Sequence, residues 1–82
     1  MVEVHDIARY EKPPEGGRVV IEPAGGRFVA NGVSPAKGSE GYWRPPAFDT
    51  LDEAIAASIE WASKNDVFAV YVKRIVRGRP RR

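Results

Sequence analysis

The chain has 82 residues, no cysteine and a single histidine, and 29% of its residues are charged. This length supports one small hydrophobic core and leaves no room for a second domain. Without cysteine there is no disulfide framework, no thiolate nucleophile and no cysteine-ligated zinc site.

The formal net charge of +2 hides a strong separation of charge along the chain. Residues 1–66 carry all eleven acidic residues and have a net charge of −4, whereas residues 67–82 carry six basic residues and no acidic one. Segments of opposite charge are typical of proteins with interaction tails. An anionic partner would therefore be attracted by the C-terminal residues and not by the chain as a whole.

The first half of the chain has the composition of strands separated by tight turns. Residues 2–10 are rich in strand-forming residues with imperfect alternation, which predicts an edge strand. The proline- and glycine-rich residues 11–17 predict a turn. Residues 18–22 predict a short strand that Pro23 ends, and residues 27–32 predict the returning strand of a β-hairpin.

The second half is predicted to hold a long loop, one helix and a closing strand. The loop spans residues 34–48. Thr50 and Glu53 have the spacing of a capping box, and the apolar residues that follow recur at helical spacing, so the sequence predicts a helix over 51–64 with Asn65 as a left-handed stop. The segment "VFAVYVKRIV" predicts a strand with Phe68, Val70 and Val72 on one face.

These elements predict a single α+β domain. We expect a three- to four-stranded, largely antiparallel sheet in the order β-β-β-α-β, with the helix packed on one face. The last strand is the most apolar and is expected inside the sheet. Residues 1–76 form the predicted domain, and residues 77–82 form a flexible basic C-terminal tail.

The hairpin "RVVIEPAGGRFVANG", the segment "FDTLDEAIAASIEWASKN" and the closing strand "VFAVYVKR" together resemble small bacterial domains of unknown function. Those domains are built as a hairpin, a helix and a strand, and they share a Phe-x-Thr-x-x-Glu-Ala-Ile-x-Ala helix start. The resemblance covers roughly residues 18–74 and implies the fold. It implies no activity.

No constellation of residues for catalysis is present, and we expect no enzyme, no cofactor and no metal site. His5 stands beside Glu3 and Asp6 without the partners that a general base or a metal ligand requires. The acidic residues Asp52 and Glu53 are explained by their place at a helix start, where they complement the helix dipole. The first residues show no signal peptide and the longest apolar run is too short to span a bilayer, so we expect a cytoplasmic protein without a membrane partner.

Tyr42, Trp43 and Arg44 form an aromatic pair beside a cation, followed by two prolines. Aromatic faces near positive charge suit the bases of single-stranded nucleic acid, so these residues are candidates for an aromatic contact. Alternatively, Trp43 folds down as a plug on the edge of a small core. We favour the plug.

The C-terminal segment Arg77-Gly78-Arg79-Pro80 resembles the core of the AT-hook, a short motif that lies extended in the minor groove of A·T-rich DNA. Glycine allows close approach of the backbone, and arginine is attracted by the negative potential of a narrow groove. Val76 differs from the proline that often precedes this core. The candidate nucleic-acid-binding residues are Lys73, Arg74, Arg77, Gly78, Arg79, Pro80, Arg81 and Arg82.

The sequence thus predicts a small non-catalytic binding module that engages nucleic acid through its basic C-terminal residues. The alternative is a protein-interaction or self-assembly module, expected as a homodimer, in which the tail is a solvated or docking arm.

Overall fold

The computed structural model describes residues 2–8, 11–34 and 41–74 of the chain. In chain order the elements are β1 (Glu3–Ala8), β2 (Arg18–Ala24), β3 (Arg27–Val33), β4 (Tyr42–Trp43), α1 (Leu51–Lys64) and β5 (Ala69–Arg74). The strands form one five-stranded sheet in the spatial order β1-β5-β2-β3-β4.

The predicted α+β class, with one helix on one sheet face, is confirmed. The sheet is wider than expected and is mixed, because β1 and β2 both pair in parallel with β5, while β3 is antiparallel to β2 and to β4. Strand β4 has only two residues and lies within the predicted loop. The parallel pairing brings β1 beside β5, with Glu3 opposite Ala69. No local sequence pattern indicates a partner so far along the chain. As predicted, β1 is an edge strand and β5 lies inside the sheet.

The β2–β3 hairpin turns through two residues, Gly25 and Gly26, whose φ angles are 59° and 84°. Two consecutive left-handed residues make the turn that matches strand twist, and glycine adopts it without strain. Pro23 does not end β2, contrary to expectation, but pairs opposite Phe28. The backbone N–H and C=O of Phe28 are both bonded to Phe48, at 2.9 and 2.8 Å. Phe28 therefore requires no donor from Pro23.

Helix α1 has the predicted limits. The Thr50 side chain accepts a hydrogen bond from the Glu53 amide at 3.1 Å. At the other end the left-handed residue is Asp66, with φ 59°, and not Asn65, which has φ −125°. The amide of Val67 donates to the carbonyl of Ala62 at 3.0 Å. This is the six-residue bond of a Schellman motif, which places the left-handed residue one position after the cap.

The core lies between the helix and one face of β2, β3 and β5. The residues of the helix that are fully buried are small and follow a four-residue spacing, Ala54, Ser58 and Ala62. Larger side chains flank this line and pack against the buried strand residues, which confirms the predicted helix–sheet contact. The strand residues in this cluster are Val19, Ile21, Ala30, Val70 and Val72, and the partly buried Phe28 packs against them. Phe68 is not part of it and is 61% exposed, because it precedes β5 and lies beyond the helix-covered rows.

Ser34 holds the end of β3, the start of β4 and the end of the helix together. Its amide donates to the Gly41 carbonyl at 2.7 Å, and its hydroxyl donates to the Asn65 carbonyl at 2.8 Å. Ser34 is fully buried, so both of these groups are satisfied inside the protein. The bonds fix where Tyr42 and Trp43 join the sheet.

Candidate nucleic-acid interface

The sheet face opposite the helix, here called the open face, is formed by the alternate residues of all five strands. Because cross-strand partners point to the same side of a sheet, the pairing register assigns its members: Glu3, His5, Ile7, Arg18, Val20, Glu22, Ala24, Arg27, Val29, Asn31, Val33, Tyr42, Ala69, Tyr71 and Lys73. None of them is buried. On the helix side, by contrast, Val19, Ile21, Ala30 and Val70 are completely buried.

The connection from β1 to β2 returns the chain from one end of the sheet to the other. Its described part, residues 11–17, is mostly exposed, and only Pro13 and Gly17 are half-buried. The open-face residues of β5, Ala69, Tyr71 and Lys73, are half-buried.

An aromatic stack joins the edge strand β1 to β5 on the open face. His5 and Tyr71 are direct cross-strand partners, and their rings stack at a centroid distance of 5.5 Å with 24° between planes. The His5 Nε2 atom lies 3.2 Å from a carboxylate oxygen of Glu3 on the same face. That contact orients the imidazole. Tyr71 is half-buried, with His5 as its partner on β1 and Val20 as its partner on β2.

Two cationic side chains flank Tyr71. Lys73 is two residues farther along the same strand, and Arg18 is two residues before Val20 on the neighbouring strand. The spacing of strands and residues places their Cα atoms about 7–8 Å from that of Tyr71. The Arg18 guanidinium donates to the Gly16 carbonyl at 2.9 Å, which uses one of its five N–H groups and leaves the others for a ligand.

The predicted nucleic-acid-binding residues are only partly within the described structure. Lys73 is half-buried on the open face, and Arg74 is the last residue of β5. The remaining predicted contacts, residues 77–82, lie outside the described residues, as does the boundary between domain and tail. The structure therefore locates the start of the basic segment and leaves the rest a prediction.

The predicted aromatic contact is divided between the two faces. Tyr42 is 63% exposed and belongs to the open face, where it is the partner of Val33. Trp43 points to the helix side and stacks on Trp61, with ring centroids 5.4 Å apart and planes 8° apart. Trp43 packs against the core, as the plug interpretation predicts. Arg44 follows β4 and is exposed.

Gly32 makes room for the tryptophan pair. It is the cross-strand partner of Trp43, and a Cβ atom added to it would lie 2.7 Å from the six-membered ring of Trp61. The indole of Trp61 thus lies directly against the backbone of β3.

A surface cleft of about 260 Å³ lies beside this pair, lined by Trp43, Ala57, Glu60, Trp61 and Lys64. This volume is below the roughly 300–1,000 Å³ of sites that enclose small ligands. Glu60 and Lys64 partly neutralise each other at 3.5 Å. The cleft is therefore small, and its two charged side chains offset each other.

Within residues 2–8, 11–34 and 41–74, no group of three or more His, Asp or Glu side chains is arranged to hold a metal ion. Over the same residues, no helix has the length and apolar character needed to cross a membrane.

Sequence reasoning did not identify His5, Tyr71 and Arg18 as parts of one surface. Alternation in the closing strand correctly separates Tyr71 from Val70 and Val72. The missing information is that β5 lies between β1 and β2, which brings His5 and Arg18 to opposite sides of Tyr71. No spacing along the chain encodes this order.

No protein-family model, no curated protein and no solved structure matches the chain. The resemblances to hairpin–helix–strand domains and to the AT-hook core remain predictions from the residues that carry them.

Proposed function

We propose that this protein is a non-catalytic nucleic-acid-binding module whose affinity comes mainly from its basic C-terminal residues. We call residues 73–82 the basic arm. It contains six basic residues and no acidic one, against a net charge of −4 for residues 1–66. Such an arm attracts a polyanion by releasing its counterions, whereas the rest of the chain opposes binding.

The observation that carries this proposal is the way in which the sheet anchors the arm. Strand β5 is held on both sides, by β1 and β2, and its last two residues pair with Ile7 and Ala8. Lys73 and Arg74 thus start the arm from a fixed position at one end of the sheet. A charged segment that begins on a rigid strand loses less entropy on binding than one attached through a free linker.

The sequence of the arm favours duplex DNA rich in A·T pairs. Arg77 and Arg79, separated by Gly78, are spaced to enter a narrow minor groove, and Arg81 and Arg82 add phosphate contacts. If about four arginines displace counterions, the logarithm of the binding constant falls against the logarithm of salt concentration with a slope of about −3.6.

The test is a titration of A·T-rich, G·C-rich and single-stranded DNA at several salt concentrations. A variant with Arg77, Arg79 and Arg81 changed to glutamine is expected to bind weakly with a shallower salt slope. The matched control changes Lys12, Arg27 and Lys64 to glutamine, which lowers the net charge equally but leaves the arm intact. Equal losses in both variants would show a nonspecific charge effect, and unchanged binding by the arm variant would refute the proposal.

A second candidate is self-association as a homodimer. The open face carries half-buried apolar residues, including Val20, Val29 and Val33. These residues favour self-association, because covering an apolar surface with a partner lowers the free energy. Sedimentation at high protein and low salt concentration tests this function directly. A dimer that fails to bind any DNA would favour it over the first proposal.

A further inference from the structure

The two edges of the sheet differ in how well they are protected against a further strand. At one edge, β4 has only two residues and is followed closely by Pro45 and Pro46, which have no N–H group to offer a neighbour. At the other edge, β1 has six residues and pairs with β5 and with no second strand of the described residues. An edge strand whose backbone groups are unpaired is a template for another chain.

The hydrogen bonds of β1 show which of its backbone groups face outward. The Glu3 amide donates to the Phe68 carbonyl at 2.8 Å. In a parallel pair, alternate residues direct both backbone groups to the neighbouring strand, so every second residue from Glu3 faces β5, and Val4 and Ala8 face away.

The outward groups of β1 are occupied at one end and open at Val4. The Ala8 N–H donates to the Glu11 carboxylate at 3.0 Å, and the Ala8 carbonyl accepts from the Glu11 amide at 3.0 Å. Val4 has no such cover, and its outward N–H and C=O form no hydrogen bond with any described residue. The available part of the edge is therefore centred near Val4.

Val4 also presents an apolar side chain at this edge. Its partner on β5, Val70, lies on the helix side and is completely buried. The helix packs on β2, β3 and β5, and Val4, one strand farther out, is 41% exposed. A partner at this edge would cover an apolar side chain and two backbone groups of the same residue.

We propose that a second copy of the chain pairs with this edge, β1 against β1 in antiparallel orientation, with the two-fold axis at Val4. Val4 then lies opposite Val4 of the second copy, and each N–H donates to the other's C=O. An interface of this kind repeats every contact by symmetry. The inference deepens the self-association named above as the second candidate function, and it assigns that function to the β1 edge, not to the open face.

The charges of β1 favour this register. On the open face it places Glu3 opposite His5 of the second copy, so that a carboxylate can accept from an imidazole at two symmetric positions. A register centred on Glu3 or on Asp6 would place two carboxylates directly opposite each other, which is unfavourable. A register centred on His5 would require the outward groups of Ala8, which Glu11 occupies.

The size of the contact sets the strength of the dimer. One short strand from each copy buries less than about 1,200 Å² in total, the range of weak and transient complexes. We therefore expect a dimer that forms reversibly as the protein concentration rises.

The dimer carries two basic arms. Arg74 is the partner of Ala8, four residues beyond Val4, so the two arms start from opposite ends of one continuous sheet. Residue and strand spacing place the two Arg74 Cα atoms about 30 Å apart, close to the roughly 34 Å of one turn of duplex DNA. Two arms on one duplex bind more tightly than one, because the second contact is intramolecular. This consequence, unlike the dimer itself, rests on the proposed DNA binding.

Sedimentation equilibrium of the full chain measures the dissociation constant of the dimer. Val4→Lys places two ammonium groups beside each other at the axis, and we expect the constant to rise at least about tenfold, because juxtaposed like charges oppose association. Val29→Lys introduces the same charge on the open face and is the matched control, which should leave the constant nearly unchanged. Loss of the dimer in Val29→Lys alone would place the interface on the open face and overturn the proposal.

An exchange of charges tests the register. His5→Glu places a carboxylate opposite Glu3 of the second copy and should weaken the dimer. Adding Glu3→Lys to this variant puts opposite charges at both positions and should restore it. Both residues are exposed, so the fold should tolerate the changes. A double variant that dimerises no better than His5→Glu would contradict the register centred on Val4.

Amide exchange of the wild-type chain keeps the inference testable if a variant unfolds. The Val4 amide should exchange slowly at high protein concentration and rapidly on dilution, whereas the His5 amide faces β5 and should be protected at both. Rapid exchange of the Val4 amide at every concentration would overturn the edge pairing, as would a monomer throughout.

DNA titration separates this inference from the proposed function. A monomer that binds A·T-rich duplex would refute the edge pairing and leave the arm standing. A Val4-centred dimer that binds no DNA would support the edge pairing and refute the arm.

Discussion

The two faces of the sheet are built from alternate residues of the same strands, and they differ in nearly every property. The helix side buries Val19, Ile21 and Val70 completely, whereas no member of the open face is buried. The helix side is mainly apolar and includes Phe28 and the tryptophan pair, and the open face mixes valines with tyrosine, histidine and charged residues. One face therefore forms the core, and the other stays at least partly in contact with solvent.

The largest expected effect compares neighbours on the two faces. Ile21 is 0% exposed, so Ile21→Ala should lower the free energy of unfolding by about 2–5 kcal/mol. Val20 is half-buried on the open face, and Val20→Ala should cost less, about 1 kcal/mol, because part of its side chain already meets water. Urea denaturation measures both. Equal effects would mean that the open face is covered in solution.

A smaller effect is expected from adding a methyl group on the helix side. Gly32→Ala places a Cβ atom 2.7 Å from the Trp61 ring, and overpacking of this kind costs about 1–3 kcal/mol. Asn31→Ala, at the adjacent open-face position, is the control and should change stability little.

The cause of the Gly32 effect can be tested with a double variant. Combining Gly32→Ala with Trp61→Leu should cost less than the sum of the two single changes, because the smaller side chain removes the clash. An additive result would contradict the contact between Gly32 and Trp61.

Tyr42 and Trp43 compare the two faces of the sheet at adjacent positions of β4. Trp43→Ala removes the stack on Trp61 and part of the core cover, so we expect a loss of about 1–2 kcal/mol. Tyr42→Ala changes an open-face residue that is 63% exposed, and should alter stability by less than about 0.5 kcal/mol. Thermal unfolding distinguishes the two variants. A larger loss from Tyr42→Ala would place Tyr42, not Trp43, as the plug.

Much of the fold could be predicted because its signals are local. The cap at Thr50, the helical spacing that follows it and the Gly25–Gly26 turn each act within a few residues, and each is found where predicted. Pro23 and Asn65 were interpreted wrongly for a related reason. The place of Pro23 within β2 depends on the backbone hydrogen bonds that Phe28 forms with Phe48. The conformation of Asn65 depends on a Schellman motif that extends to Val67.

The candidate site was less predictable because it depends on strand order. His5, Arg18 and Tyr71 come from three strands that are far apart in the chain and adjacent in the sheet. Alternation tells which residues of one strand share a face, but the long-range parallel pairs of β5 decide which strands contribute to that face.

The smallest expected effect concerns a polar side chain, Ser58, that is buried on the helix side of the sheet. Polar groups on the open face meet water, but Ser58 is fully buried in the helix, and its hydroxyl has no hydrogen-bond partner among the described residues. An unpaired buried hydroxyl is unfavourable, and alanine also has the higher helix propensity. Ser58→Ala should therefore stabilise the protein by about 0.5–1 kcal/mol.

The control is Ser63→Ala, at an exposed position of the same helix, which reports the gain in helix propensity alone. The difference between the two variants in urea denaturation therefore isolates the contribution of the buried hydroxyl. A loss of stability on Ser58→Ala, with a gain on Ser63→Ala, would mean that the Ser58 hydroxyl is bonded in solution, and the helix side would then contain no unpaired polar side chain among the described residues.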